Sequence, residues 1–221
     1  GDIMKKIVLI GGGGHSKVII DIINSTKEYE IVGLTEKNSD VKSILDIPIL
    51  GDDSILEELF NKGIEYAFIS IGISEGRKLR NILYNKVKKI GYKCPTLIHK
   101  QAIISSYSEI REGTCVMAGA IINPNTTIGI NSVINTGVII EHDCFIGNNI
   151  FISPGSILAG GITVKDNSFI GMGSKILEGR IIGSNVTIGA GAVVTNDIPD
   201  NSVAVGVPAK VIKVKEKHNE S

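Results

Sequence analysis

Hydrophobic positions follow two different rules along this chain. From Ile98 onward every sixth residue is aliphatic: Ile98, Ile104, Ile110, Val116, Ile122, Ile128 and so on without a break through Ile188 to Val194. If about a third of random positions were Ile, Val or Leu, 17 in register would arise about once in 10⁸ trials, so the period is built in. The fourth position of each hexapeptide is Gly or Asn in 13 of the 17 cases, from Gly113 to Gly191, and both residues tolerate a positive φ. One left-handed residue in six marks a tight corner. The fifth position is mostly small or aliphatic (Ala102, Ser108, Thr114, Val138, Ala192) and turns back inward, so the pattern predicts a solenoid of short strands and corners. Arg180 is the one charged residue at a fifth position, and the pattern gives no reason for it.

The residues before this array alternate between strand and helix patterns. KKIVLI reads as a buried strand, GGGGHS as a loop, and KVIIDIINS as an amphipathic helix with Val18, Ile19, Ile22 and Ile23 on one face. EIVGLTE predicts a second strand. Asp53 is placed to cap a helix ILEELFNKG that stops at Gly63, EYAFISIG predicts a third strand ended by Gly72, and EGRKLRNILYNKVKKI a third helix. Such alternation predicts a small Rossmann-like parallel sheet in an α/β domain. The expected organisation is that α/β domain over 4–95, the repeat domain with a C-terminal extension over 96–212, and a flexible charged tail over 213–221 that contains His218.

Composition narrows the function by exclusion. A hydrophobic content of 43% over 221 residues is ample for packed cores. Lys plus Arg equals Asp plus Glu at 23 each, without a basic block before the tail, so the footprint of a nucleic-acid or anionic-membrane partner is missing. Cys94, Cys115 and Cys144 are odd in number and lack CxxC spacing, which argues against a disulfide framework and a structural zinc site and fits a reducing cytoplasm. The apolar run Ile7 to Ile10 stops at four glycines, far short of the roughly 20 residues of a membrane span, and lacks a signal-peptide cleavage pattern. Gly1 to Ile3, ahead of Met4, look like residues added before the natural start.

Two stretches carry candidate chemistry. Gly11 to Ser16 sits where a strand meets a helix, the place where backbone amides and the helix dipole hold a phosphate. Taken as G-x-G-x-x-G it fails at Ser16, and a domain this short holds half of a two-lobed dinucleotide fold, so one nucleotide fits better than a dinucleotide. A turn with no ligand is the plain alternative. Glu36 stands about 20 residues on, within reach of a ribose hydroxyl, and Gly72 faces the same crevice. His15 is either a ligand contact or simply part of the helix's first turn.

The second stretch is Glu141-His142-Asp143. In the hexapeptide register Ile140 points inward, so these three occupy a corner. Asp143 takes the slot usually held by Gly or Asn and is explained equally well as a turn residue. His142 is either a solvated surface histidine or, beside a carboxylate that fixes its tautomer, a general base. Whether Asp143 or Glu141 orients it stays open. Cys144, at a fifth position, turns into the core, where a thiol is inert. His99 and His142 together fall short of a three-histidine zinc site.

GGGGHSKVIID, SIGISEGRK, TLIHKQAIIS, IEHDCFIG and VAVGVPAK, in that order, together resemble the bacterial sugar acetyltransferases, of the bacillosamine-pathway UDP-aminosugar N-acetyltransferase and sialic-acid O-acetyltransferase type. The likeness covers nearly the whole chain. It implies a left-handed parallel β-helix with three hexapeptides per turn, and a homotrimer with acetyl-CoA in the cleft between adjacent prisms. It also implies His142 as catalytic base with Asp143 as its helper carboxylate. Nucleotide-sugar contacts are implied at Gly13, Gly14, His15, Thr35, Glu36 and Gly72, and coenzyme contacts at Phe151, Met172 and Ala190, with no metal. Members often carry a histidine where this chain has Phe151, so that contact is either lost or rebuilt from backbone. The implied activity is acetyl transfer from acetyl-CoA to the amino group of a UDP-linked 4-amino sugar, by direct attack without an acyl-enzyme, in cytoplasmic glycan biosynthesis. The alternatives are O-acetylation of a sialic acid or related hydroxyl, and a non-catalytic trimeric nucleotide-binding scaffold.

Overall fold

The computed structural model describes residues 4–37, 40–72 and 76–215; Gly1 to Ile3 and His218 lie outside the described residues. The chain divides into two compact units between Lys100 and Gln101.

In the first unit five strands, β1 (Lys5–Ile10), β2 (Tyr29–Thr35), β3 (Ser43–Ile44), β4 (Ile47–Gly51) and β5 (Tyr66–Ile69), lie in the order β3-β4-β2-β1-β5. β1 pairs in parallel with β2 and with β5, and β2 in parallel with β4. The parallel centre is what the alternation of strand and helix predicts. Three helices, α1 (Gly14–Thr26), α2 (Leu56–Asn61) and α3 (Arg77–Ile90), accompany it. The buried face of α1 is Ile19, Ile20, Ile22 and Ile23, so Ile20 stands where Val18 was expected.

Local details depart from the sequence reading. The antiparallel β3–β4 hairpin was not predicted, because its two-residue turn, Leu45-Asp46, takes φ values of 45° and 66° without the Asn-Gly or Asp-Gly that announces such a turn. Helix α1 begins at Gly14, so Gly14, His15 and Ser16 belong to its first turn and not to a loop. Asp52, not Asp53, caps the second helical segment by accepting the Ser54 N–H at 2.8 Å. Asp53 accepts the Thr35 hydroxyl instead, at 2.5 Å. β5 stops at Ile69, which leaves Gly72 beyond the strand.

The second unit is a stack of two-residue strands. Each strand pairs in parallel with the one three hexapeptides on: Ile121–Ile122 with Ile139–Ile140, Thr127–Ile128 with Phe145–Ile146, and Val133–Ile134 with Phe151–Ile152. Three hexapeptides therefore complete one coil, and the coils build three sheets of a parallel β-helix. The inward aliphatics from Val116 to Val194 are buried. The fourth positions supply the corners, with φ of 60° at Asn125, 59° at Asp143 and 68° at Gly155. Inward hydroxyls tie coil to coil: Thr114 Oγ1 donates to the Gly129 carbonyl at 2.7 Å and accepts the Ser132 N–H at 2.9 Å. Arg180 is half-buried, its Nε donating to the Glu178 carbonyl at 3.1 Å, so its charged end escapes the core position its register assigns.

The repeat ends by design of the chain. Ile198 bridges to Ile182, and Asp197 accepts the Ile181 N–H from a spacing of 16, so the last coil is shorter than the 18-residue step elsewhere. The chain then forms a strand at Ser202–Val205, parallel to its neighbour in the stack, and reverses into an antiparallel strand at Lys210–Val214. Lys213 and Val214, expected in the tail, belong to that strand, and Lys215 Nζ donates to the Asn185 carbonyl at 2.6 Å.

Candidate active site

The corner at residues 141–143 follows from the hexapeptide rule. Ile140 is fully buried, Asp143 adopts the left-handed conformation, and the three side chains between core positions are left outside. The Gly161 N–H donates to the His142 carbonyl at 2.9 Å, which fixes the corner against the next coil. The His142 side chain is 57% exposed, and its Nδ1 lies 2.7 Å from Asp143 Oδ2. Asp143 Oδ1 in turn accepts from Asn125 Nδ2 at 2.5 Å. Glu141 is engaged elsewhere, accepting from Asn123 Nδ2 at 3.1 Å. The question of which carboxylate meets the imidazole is thus answered in favour of Asp143.

A carboxylate on Nδ1 makes that nitrogen the donor and leaves Nε2 with a free lone pair. The ring lies over Gly160, where an added Cβ would come within 2.8 Å of both Cε1 and Nε2. The hydrogen bond to Asp143 raises the His142 pKa above the ordinary histidine value, and the charges of Asp143, Glu141 and Glu178 act in the same direction. Asn125 and His142 hold the Asp143 carboxyl below its usual range. Such a corner can accept a proton at Nε2 and hold it. Cys144 is not a competing nucleophile: it is buried, its thiol faces the Ala159 carbonyl at 3.2 Å, and burial pushes its pKa up.

Met172 and Ala190 stand together on a different corner, one coil apart, linked by the Gly191 N–H to the Met172 carbonyl at 2.8 Å. Both are exposed. Phe151 belongs to a strand and not to a corner; it is 9% exposed and stacks on Phe169 at 5.7 Å between ring centroids. Within one chain, then, the three expected coenzyme positions are not brought together with His142.

The glycine-rich crevice is built at the carboxyl end of β1. Gly11 takes a φ of 107° so that its N–H reaches the Thr35 carbonyl at 2.9 Å, and Ser70 Oγ donates to the Gly11 carbonyl at 2.7 Å. The Gly12 N–H donates to Glu36 Oε2 at 2.6 Å. Gly13 caps α1, and the amides of the first turn, Gly14 and His15, are those a helix leaves for an anion. A Cβ at Gly14 would meet nothing within 4 Å, while one at Gly72 would sit 3.3 Å from His15 Cβ. Glu36 is thus tied to Gly12, and Gly72 approaches His15 in the first turn that Gly13 and Gly14 begin. Thr35 stands apart from them: it is fully buried, with its hydroxyl bonded to Asp53 and its carbonyl to the Gly11 N–H, so its side chain is engaged within the fold.

His15 is driven down to about 3 by burial and by the neighbouring Arg80, and its Nε2 is buried without a hydrogen-bond partner. It is a neutral imidazole at physiological pH. Arg80 is itself buried and donates to the Ile69 carbonyl at 2.7 Å, holding the end of β5. His99 is buried with Nε2 3.4 Å from Asp21, and among the described residues no three His, Cys, Asp or Glu are grouped to hold a metal ion.

Sequence reasoning missed Asn123, Asn125, Gly160, Glu178 and Arg80. The first four carry a signal in hindsight, because each stands one coil, or two, from a residue of the 141–143 corner, a spacing of 18 that the strand pairing dictates. Arg80 carries none, since a basic residue on a surface-like helix pattern is unremarked.

Comparison with known proteins agrees with this architecture. The family model for the PglD N-terminal domain matches residues 6–87, that for the hexapeptide repeat of succinyl-transferase residues 118–154, and that for the bacterial transferase hexapeptide (six repeats) residues 161–196. A perosamine N-acetyltransferase from Caulobacter crescentus, with one histidine replaced by asparagine and in complex with CoA and GDP-perosamine, is 35% identical. The match covers 96% of this chain and 98% of that one, with a TM-score of 0.89. The acetyltransferase domain of PglB from Neisseria gonorrhoeae, in complex with acetyl coenzyme A, is 30% identical over 95% of this chain and 100% of that one, with a TM-score of 0.88. WeeI from Acinetobacter baumannii AYE shares the fold, at 22% identity over 94% of this chain and 100% of that one and a TM-score of 0.80. No curated protein matches the chain.

Proposed function

The chain belongs to the hexapeptide-repeat sugar acetyltransferases, and from that premise we propose that it transfers acetyl from acetyl-CoA to the amino group of a nucleotide-linked 4-amino sugar, with His142 as general base. The observation that carries the reading is the His142–Asp143 pair, which presents a basic Nε2 to solvent at a corner shaped around it by Gly160. Nε2 takes a proton from the amine as nitrogen attacks the thioester carbonyl. The new C–N bond forms, the tetrahedral intermediate collapses with loss of the C–S bond, and the proton passes from His142 to the departing sulfur. No covalent intermediate is required, and the buried Cys144 supplies none.

Amine is favoured over hydroxyl by the surroundings of the corner. Glu141, Asp143 and Glu178 act together on His142, and a negative corner attracts an acceptor that arrives as an ammonium and releases one proton to solvent before the free amine attacks, while gaining nothing for an alcohol. The Caulobacter relative, an N-acetyltransferase solved with an amino sugar, supports the same choice. The nucleotide is held by Gly13, Gly14 and His15 at the start of α1, with Glu36 and Gly72 beside them. UDP is the nucleotide expected from sequence, whereas the Caulobacter relative is solved with GDP-perosamine, so both belong in the test.

Coenzyme contacts at Met172 and Ala190 lie on a corner other than that of His142, which supports a site shared between prisms of a homotrimer. Phe151, packed on Phe169, leaves the coenzyme contact at that position to backbone. Among the described residues no helix is long and apolar enough to cross a membrane, and Cys94, Cys115 and Cys144 form no disulfide.

The test is incubation of the purified protein with acetyl-CoA and a panel of UDP-4-amino sugars, GDP-perosamine and sialic acids, read by mass spectrometry. One amino sugar should gain a single acetyl group. Acetylation of a sialic acid alone would overturn the amine assignment, and failure to bind CoA in calorimetry would favour a scaffold. His142→Ala should lower the rate by about 10² to 10⁴ while CoA still binds.

A further inference from the structure

We infer that Asn125 is a positioning residue for the proposed base, and that the Asp143–His142 pair is the end rung of a ladder of corner side chains. The ladder runs over several coils on another corner. There Asn131 Nδ2 donates to Asn149 Oδ1 at 3.0 Å, Asn149 Nδ2 to Asn167 Oδ1 at 3.1 Å, and Asn185 Nδ2 to Asn201 Oδ1 at 2.9 Å. Every residue in it has a positive φ, so each amide projects from the same point of its coil onto the next.

On the corner of His142 the same geometry recurs once. Asn125 and Asp143 have φ of 60° and 59°, and Asn125 Nδ2 donates to Asp143 Oδ1 across one coil. What differs is the continuation. The next corner residue is Gly161, which has no side chain, and an aspartate has no N–H to pass upward. Its second oxygen is therefore left over, and it meets His142 Nδ1 at 2.7 Å. A carboxylate is planar, so a donor that pins one oxygen also aims the other. Glycine serves the corner conformation at Gly113, Gly119 and Gly137, so the backbone does not require an amide at 125. Other charges near His142 come from Glu141 on its own corner and from Glu178 two coils on, and neither depends on Asn125.

This inference rests on the reading of His142 as base, and the experiment separates the two. Asn125→Gly keeps the left-handed corner and removes the amide; Asn149→Gly does the same on the other corner and serves as control. The Cε1–H resonance of His142, assigned by its disappearance in His142→Ala, is titrated by NMR in each variant without any substrate, alongside melting temperature and the acetylation rate on the amino sugar found active. Asn125→Gly should lower the His142 inflection and reduce kcat several-fold with KM unchanged, whereas Asn149→Gly moves neither. A wild-type titration curve in Asn125→Gly, with only the melting shift that Asn149→Gly also shows, would make the rung purely structural and overturn the inference. Full activity in His142→Ala would sink the base assignment, and the titration would still decide whether Asn125 sets the imidazole.

Discussion

His142 is exposed and bonded to a carboxylate, which raises its affinity for a proton, while burial, with Arg80 nearby adding to it, drives the pKa of His15 down to about 3. The two rings suit opposite tasks. A neutral His15 can offer an N–H to a nucleotide at any physiological pH without a charge change. The proposed base, by contrast, works only when unprotonated, so kcat/KM should rise with pH through an inflection above the ordinary histidine value of 6.5. Asp143→Asn removes the anion that raises it, and the inflection in the pH–rate profile should move down; an unmoved inflection assigns that titration to another group. At this scale the sequence is informative where a residue breaks the hexapeptide rule. Asp143 is visible because its slot is usually Gly or Asn, and His142 because a corner imidazole has no turn duty to explain it, whereas Asn125 obeys the rule, Gly160 stands at a position the rule leaves open, and both gain their meaning only from what is stacked above or below them.

Among the elements, the corner is the unit in which conformation and chemistry are coupled. Gly160 is a glycine for the sake of the side chain one coil before it: a methyl there would sit 2.8 Å from the imidazole. Gly160→Ala should therefore displace the ring and reduce the acetylation rate by about 10²-fold, the cost of a misplacement on the order of 1 Å, with little change in melting temperature. Equal rates for variant and wild type would show that the ring position is not critical. Elsewhere small residues answer other demands. Gly129 and Gly147 make room for Asn148 and Asp166, whose side chains fold back to accept the N–H groups of Ile130 and Asn148. The repeat itself was legible because 17 aliphatics share one period. The β3–β4 hairpin and the short last coil were not, because each occurs once: Leu45-Asp46 has no turn signature, and a deficit of two residues has no period to betray it.

For the molecule as a whole, the decisive matter is what covers the outside of the β-helix. Outward positions carry Ile103 at 64%, Phe145 at 50% and Ile181 at 44% exposure, a load of apolar surface that an isolated chain gains nothing by displaying. The proposed association of copies would relieve it and would supply the proposed site with its coenzyme ridge. Periodicity could not announce this, since a six-residue rule constrains inward positions and leaves the outward ones free. If the base and the ridge act from different copies, two inactive variants should rescue each other. His142→Ala co-expressed with Ala190→Glu should form mixed trimers with measurable activity, because some clefts then receive both wild-type faces. A mixture as inactive as its parents would mean that each copy works alone.

The closing segment of the β-helix has a bearing on solubility. Val193 spends its backbone groups on Gly206 and Ala209, Ile181 is met by Ile198, and the remaining sheet is reversed by Lys210–Val214. A stack of parallel strands is an open template at its terminus, ready to recruit another column edge to edge. Here the protein plugs that terminus with its own polypeptide, so the filament-like architecture stays a counted number of layers.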